Sequence, residues 1–257
     1  MKNWIKILLY LLVLSFLASQ VSFAGIFDKG KWEFNIHYSK WSLNLVRGLI
    51  EDKVGEQMEE EFQENIEEDH PELGAGIYRQ DISFDSTGNN YGFEIRFYPS
   101  GKTGSFSLGL SIEKTRMELE LEGNVRDDFS NGSYMDAVAN GTVILEPLSV
   151  NLSLSWDIKP SWKIRPYFTY GFGISPVKGN TSLSYTGRFY NADKDEFEDE
   201  SDSEEKDLKD VEDFMKFIPI IQFSFGLKGE LAENLYILVD AGLWTGFLLR
   251  AGVTYRF

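Results

Sequence analysis

The chain contains no cysteine in 257 residues. That removes a disulfide framework and all thiol chemistry, and it is compatible with any compartment. Positive charge is scarce as well, with 25 Lys and Arg against 41 Asp and Glu and a formal net charge of -16. So acidic a chain disfavours nucleic acid as a partner. Beyond the first two dozen residues no run of ~18 apolar residues occurs, which excludes a helical membrane span. The mean hydropathy of -0.26 does not decide the class, because strands that alternate apolar and polar residues average to neutrality.

What is present begins at the C-terminus. Phe247, Leu249, Ala251, Val253, Tyr255 and Phe257 share one face of a strand, and Arg250, Thr254 and Arg256 the other. One face suits lipid and the other water. Lipid satisfies no backbone hydrogen bonds, so such a strand must belong to a closed barrel. At the other end Lys2 and Lys6 precede an apolar run from Ile7 to Leu17, and Ser22-Phe23-Ala24 places small residues at the usual cleavage offsets. Residues 1–24 are read as a removed signal peptide and 25–257 as a single barrel domain.

Alternation of spanning length, ~9–11 residues, recurs eight times. The segments are Trp32 to Asn44, Asn90 to Tyr98, a third from Ser105, Leu148 to Asp157, Ile164 to Ile174, Ile221 to Leu227, Leu235 to Leu243, and Phe247 to Phe257. The predicted fold is all-β: a closed antiparallel eight-stranded transmembrane β-barrel. Short connections near Ser100, Pro160 and Ala232 alternate with long acidic ones at 45–89, 122–141 and 175–216. Short periplasmic turns, long extracellular loops and an even strand number place both termini in the periplasm. Within the first long loop Val46, Ile50, Val54, Met58, Phe62 and Ile66 recur every fourth residue, which predicts an amphipathic helix before His70-Pro71. The stretch 191–213 is poor in apolar residues and is expected to be mobile loop.

The last hairpin supplies a register check. Leu243 and Phe247 both face lipid if Trp244-Thr245-Gly246 is a three-residue loop with Gly246 left-handed, and Asp240 then lies opposite Arg250 inside the barrel. Inward positions carry Glu33, Glu94, Glu113, Asp157 and Asp240 against Arg96, Arg165, Lys228, Arg250 and Arg256. An eight-stranded interior is about filled by its own side chains, so a salt-bridged core is expected rather than a wide pore.

The signal peptide, the eight alternating segments, Pro166-Tyr167 followed by Gly171-x-Gly173, and the closing Gly252-Val253-Thr254-Tyr255-Arg256-Phe257 together resemble the small outer-membrane β-barrel superfamily of the OmpW, OmpX and OmpA-barrel types. The resemblance implies a location in the outer membrane, with its lipid and lipopolysaccharide as surroundings. It also implies recognition of the C-terminal strand by the barrel-assembly machinery. It implies little chemistry, since members include adhesion and stress proteins, narrow conduits for apolar molecules and lipid A enzymes.

Candidate chemistry is sparse. His37 and Ser39 share a strand face, and Glu94 on a neighbouring strand could orient the imidazole, an arrangement similar to that of lipid A deacylases. By parity all three point into the barrel, away from acyl chains, so a hydrogen-bonded interior histidine is the simpler expectation. Asp193-x-Asp195 lacks the glycine and ligand spacing of a calcium loop, leaving only diffuse divalent-cation binding by the acidic loops. Gly171-x-Gly173 sits within a strand and is no nucleotide fingerprint. Trp32, Trp156, Trp162, Phe172 and Trp244 are expected in interfacial girdles. The expectation is a non-enzymatic structural or surface-interaction protein without a cofactor or metal centre. The alternatives are a conduit or binding protein for small apolar molecules, with the loop helix at the mouth, and a lipid A-modifying hydrolase.

Overall fold

The computed structural model describes residues 30–69, 73, 76–101, 105–211 and 215–257. The expected signal peptide and the His70-Pro71 pair lie outside the described residues. Among the described residues eleven strands follow one another: β1 (Lys31–Ser42), β2 (Gly76–Tyr98), β3 (Phe106–Phe129), β4 (Tyr134–Leu145), β5 (Leu148–Asp157), β6 (Ile164–Pro176), β7 (Gly179–Asn191), β8 (Glu196–Asp207), β9 (Phe217–Ala232), β10 (Leu235–Trp244) and β11 (Phe247–Arg256). Between β1 and β2 runs α1 (Arg47–Asp69).

Pairing is antiparallel throughout, in the order β2, β1, β11, β10, β9, β6, β5, β3. A further β2–β3 pairing returns the last strand to the first, so these eight strands form a barrel-like ring. At its seam Trp32 N donates to Phe257 O at 3.1 Å and Phe257 N to Trp32 O at 2.9 Å. A ring leaves no open edge at this level.

The sequence reading expected eight strands in all, and that count is corrected to eleven. The reason is visible in β2 and β3, of 23 and 24 residues, about twice the length a membrane requires. On β3 the outward face reads Phe106, Leu108, Leu110, Ile112 and then Lys114, Arg116, Glu118, Glu120, Glu122. The inward face reads Ser107, Ser111, Glu113 and then Met117, Leu119, Leu121, Val125. The pleat continues while its polarity inverts. On β2 the same inversion separates outward Tyr91, Phe93, Ile95 and Phe97 from outward Asp81, Ser83 and Asp85, which stand opposite inward Ile82 and Phe84. A search for apolar-outward alternation stops at the inversion and assigns the rest to loops.

The segments expected as loops at 122–141 and 175–216 therefore hold the far half of β3 with β4, β7 and β8. β4 and β5 keep one register against β3, Met117 facing Leu145 and Lys114 facing Leu148, with Pro147 between them. They are one long strand interrupted where proline lacks a ladder donor. β6 and β7 do the same against β5 and β4. β8, expected within mobile loop, pairs with β7 along its length and is exposed throughout. Beyond the ring, then, β2, β3, β4, β7 and β8 continue as a five-stranded sheet, reaching about 40 Å further at ~3.4 Å per residue.

Past the end of β1, one edge of β2 has no strand partner among the described residues, and the turn before α1 together with the start of the helix covers it. Phe84 N donates to Glu51 Oε1 at 2.8 Å, Ser86 N to Asn44 Oδ1 at 2.8 Å, and Asn44 Nδ2 to Asp85 Oδ1 at 2.6 Å. Side chains of the helix and its lead-in thus occupy ladder positions. α1 comes close to the sheet at Gly55, where a Cβ would meet the Gln80 side-chain amide at 2.8 Å.

Outward side chains of the ring form a continuous apolar belt, from Phe34, Ile36 and Phe93 through Leu110, Leu152, Phe172 and Phe223 to Val239 and Val253. So large an apolar surface is foreign to a protein in water and suits hydrocarbon. Leu110→Arg, within the belt, is expected to cost roughly 2–4 kcal/mol in urea unfolding from lipid vesicles, whereas Glu118→Arg, past the inversion, is expected to change stability by less than about 0.5 kcal/mol. Equal effects would place both positions in one medium.

Candidate functional site

Inside the ring the charged side chains are sealed from solvent. Near the chain termini Glu33 and Lys228, both fully buried, pair at 2.9 Å (Nζ to Oε1). Arg256 Nη2 lies 2.7 Å from Glu33 Oε2 and 3.3 Å from Asp157 Oδ2. Tyrosines complete the shell: Lys228 Nζ donates to Tyr98 Oη at 2.9 Å, the Arg256 guanidinium stacks 3.7 Å from the centre of the Tyr98 ring, and Arg165 lies 4.8 Å from that of Tyr236. Stacking leaves the edge of each guanidinium free for carboxylates. A buried charge is tolerable only when paired and hydrogen-bonded, and this cluster meets that condition by sharing each carboxylate between two cations.

Further along, the register sets Asp240 opposite Arg250, with Nε and Oδ1 4.0 Å apart. Asp240 is held more closely by Tyr167, whose hydroxyl donates to Oδ2 at 2.5 Å. Arg250 reaches Glu113 at 4.0 Å as well, and the Gln222 amide oxygen, in the orientation that satisfies both groups, accepts from Nη1 at 3.1 Å. The loop beyond this pair differs from expectation. Thr245 takes the left-handed conformation, at φ 47, and Gly246 is required because a Cβ there would strike Trp41 Nε1 at 2.3 Å.

His37, Ser39 and Glu94 are all buried in the lumen, but the structure does not assemble them. His37 Nδ1 meets Asn35 Oδ1 at 3.1 Å, and its Nε2 lies 3.6 Å from Glu113, not Glu94. Glu94 binds Arg96 at 2.9 Å and accepts from Ser153 at 2.7 Å. The Ser39 hydroxyl has no hydrogen-bond partner among the described residues. A serine nucleophile needs a base in contact with it, and none is supplied.

Above the charges Trp41, Met117, Ile220, Trp244 and Leu248 pack into a buried apolar cap that closes the ring. Trp244, expected in a girdle, is 1% exposed and turned inward, a correction that follows from the inversion of polarity at this height. The Trp41 indole N–H donates to the Trp244 backbone carbonyl at 3.2 Å and ties the Trp41 ring to the end of β10.

The second site lies beyond the cap, on the inner face of the sheet extension. Small residues, Gly123, Ala137, Ala139 and Gly187, form a floor, and the helix stripe residues Met58, Phe62 and Ile66 form a wall opposite Tyr185 and Phe189. They enclose a trough of about 540 Å³. Phe62 meets the Tyr78 ring at 5.5 Å between centres. The predicted stripe thus faces protein, away from the ring's apolar belt. Glu198 and Glu200 stand at the rim, where Arg188 and Asp199 form a bidentate pair with a shortest distance of 2.6 Å. The hydrogen bonds from Arg188 hold the Asp199 carboxyl below its ordinary range.

Asp127 stands in the strand row of Met135, Phe189 and Glu198, on the inner face beside Tyr78. It is 4% exposed, its Oδ1 has no hydrogen-bond partner, and it forms no ion pair among the described residues. Both neighbouring arginines serve Asp128 on the opposite face, Arg79 at 2.5 Å and Arg126 at 2.9 Å. Burial, and then the Asp128 charge, push the Asp127 carboxyl upward, and burial pushes the Tyr78 hydroxyl up to about 12. Sequence reasoning missed this residue, and the signal available was a lone acid on a face otherwise apolar from Met117 to Phe129. Among the described residues no group of three acidic, histidine or cysteine side chains is arranged to hold a metal ion.

Glu33→Gln is expected to cost roughly 3–5 kcal/mol in urea unfolding from vesicles, because two buried cations lose a shared anion. Arg250→Ala, whose carboxylate contacts are 4.0 Å and whose partner Asp240 keeps Tyr167, is expected to cost less than half as much. The reverse order would overturn the ranking.

No protein-family model matches the chain, and no curated protein matches it. Among solved structures it is similar to the N-terminal β-barrel domain of Pseudomonas aeruginosa OprF, at 12% identity over 88% of this chain and 97% of that one, with a TM-score of 0.37. It is similar too to the β domain of the Bordetella autotransporter BrkA, at 11% identity over 89% and 99% with a TM-score of 0.25. The translocator domain of the autotransporter NalP from Neisseria meningitidis matches at 10% identity over 89% and 88%, also with a TM-score of 0.25.

Proposed function

We propose that this chain is an outer-membrane protein in which an eight-stranded transmembrane barrel with a sealed lumen anchors an extracellular sheet and helix that act as a non-enzymatic surface-interaction module. The observation that carries the reading is the inversion of polarity on β2 and β3. An outward face that passes from apolar to charged in mid-strand supports a strand that leaves hydrocarbon and enters water. In this reading both termini are periplasmic, lipid and lipopolysaccharide surround the belt, and the C-terminal strand β11 is what the barrel-assembly machinery recognises.

The trough favours one elaboration, the binding of a small apolar molecule outside the barrel. The apolar cap and the packed charges oppose a conduit through the lumen. Hydrolysis of lipid A has no support from the positions of His37 and Ser39.

Two measurements test the reading. Purified protein in planar bilayers is expected to show no stable ion conductance, and reproducible channels would reject a sealed lumen. Because the chain has no cysteine, Glu61→Cys on the exposed side of α1 offers one thiol. A membrane-impermeant maleimide is expected to label it in intact cells, and labelling only after lysis would reverse the orientation.

A further inference from the structure

We propose that the trough between α1 and the inner face of β3, β4 and β7 binds an amphiphile that combines an apolar body with a cationic amine, the amine pairing with Asp127. The inference rests on the reading of the sheet extension as an extracellular module and names the ligand class that module takes. A volume of about 540 Å³ lies within the range of pockets that enclose one small molecule, ~300–1,000 Å³. Its floor of small residues and its walls of Met58, Phe62 and Phe189 offer dispersion contacts and few hydrogen bonds, so the body must be apolar.

The charge of the ligand follows from what is unsatisfied. Asp127 stands just beyond the trough's lining, on the same inner face and in the strand row of Met135 and Phe189, which do line it, and its carboxylate leans toward Gly76. It is buried and has no ion pair among the described residues, while each nearby arginine already serves another carboxylate. Glu198 and Glu200 at the rim also lack an ion pair among the described residues. An anionic amphiphile would add like charge to this set and find no free cation among the described residues that line the trough. A neutral one would leave Asp127 as costly as before. An ammonium group at the end of the trough supplies the missing partner and offsets the cost of burying this carboxylate.

The test uses the full chain reconstituted in zwitterionic lipid nanodiscs, with empty nanodiscs as the partition control. The probes are a dansyl fluorophore on a five-carbon chain ending in a primary amine and the same fluorophore ending in a carboxylate. The amine is expected to bind saturably and about tenfold or more tighter than the acid, a difference of about 1.4 kcal/mol per tenfold. Asp127→Asn, nearly isosteric, is expected to reduce that preference to less than about threefold, and Ala137→Trp to abolish binding of both probes by filling the floor. Equal affinity for the two probes, a preference that survives Asp127→Asn, or binding unchanged by Ala137→Trp would each overturn the proposal. Heat-modifiable gel mobility reports whether each variant forms its barrel, so loss of the dye site is distinguishable from loss of the barrel.

Discussion

A β-strand offers two faces and no third, so when the medium against one face changes, the chemistry of the other must change with it. In hydrocarbon the outward face must be apolar, and the enclosed face can carry the polar groups. In water the outward face must be charged, and the enclosed face becomes the place for apolar side chains. β3 meets both demands within one unbroken pleat, with Leu108 and Leu110 outward below the switch and Leu119 and Leu121 inward above it. The rest of the architecture follows. The ionic lumen lies level with the belt, the apolar cap of Trp41, Trp244 and Leu248 lies at the switch, and the trough lies beyond it.

The lumen charges solve a problem that the ring creates. Eight strands leave an interior narrow enough to fill with side chains, yet small apolar residues there would weaken the contrast that fixes which face is outward. Long charged and aromatic side chains fill the space and mark it as interior. Sharing is what makes this tolerable: Glu33 serves Lys228 and Arg256, and Asp157 lies within 3.7 Å of Lys228 and 3.3 Å of Arg256. These contacts join β1, β5, β9 and β11 across the ring, so they tie together strands that are distant in the chain and resist a slip of register.

Much of this was legible in the residues alone. The ring strands announced themselves by apolar-outward alternation, and the spacing of Leu243 and Phe247 was enough to set Asp240 opposite Arg250. The helix stripe from Ile50 to Ile66 could be read from its period, though not its target, because a stripe does not reveal which surface it will meet. The extension was illegible for a specific reason. Glu118, Glu120 and Glu122 outward with Leu119 and Leu121 inward still alternate, but with the opposite sense to the segment before them, and a search tuned to lipid-facing strands reads that as the end of a strand. β8 carries even less signal, since nearly all of Glu196 to Asp207 is polar and its pairing depends on β7 as a template. The enzyme-like trio of His37, Ser39 and Glu94 shows the converse hazard: sharing a face does not bring side chains into hydrogen-bond contact, and in a crowded lumen the nearest carboxylate to His37 is Glu113.

Continuity between ring and extension also governs how a site beyond the membrane can be held. Had 122–141 and 175–216 been loops, the residues of the trough would sit on chain free to rearrange, and ordering them on binding would oppose affinity. They sit instead on strands whose other ends are fixed in the ring, with β4 continuing the register of β5 and β7 that of β6. α1 packs close to this sheet, the Met58 methyl lying over Gly123, so the wall formed by the helix is set by packing as well as by the hydrogen bonds of Glu51 and Asn44. A cavity framed in this way keeps its shape when empty. Asp127, buried beside the cavity and without an ion pair among the described residues, is then an interaction held in readiness, since the cost of desolvating it is met in folding and a cationic ligand need only supply the partner.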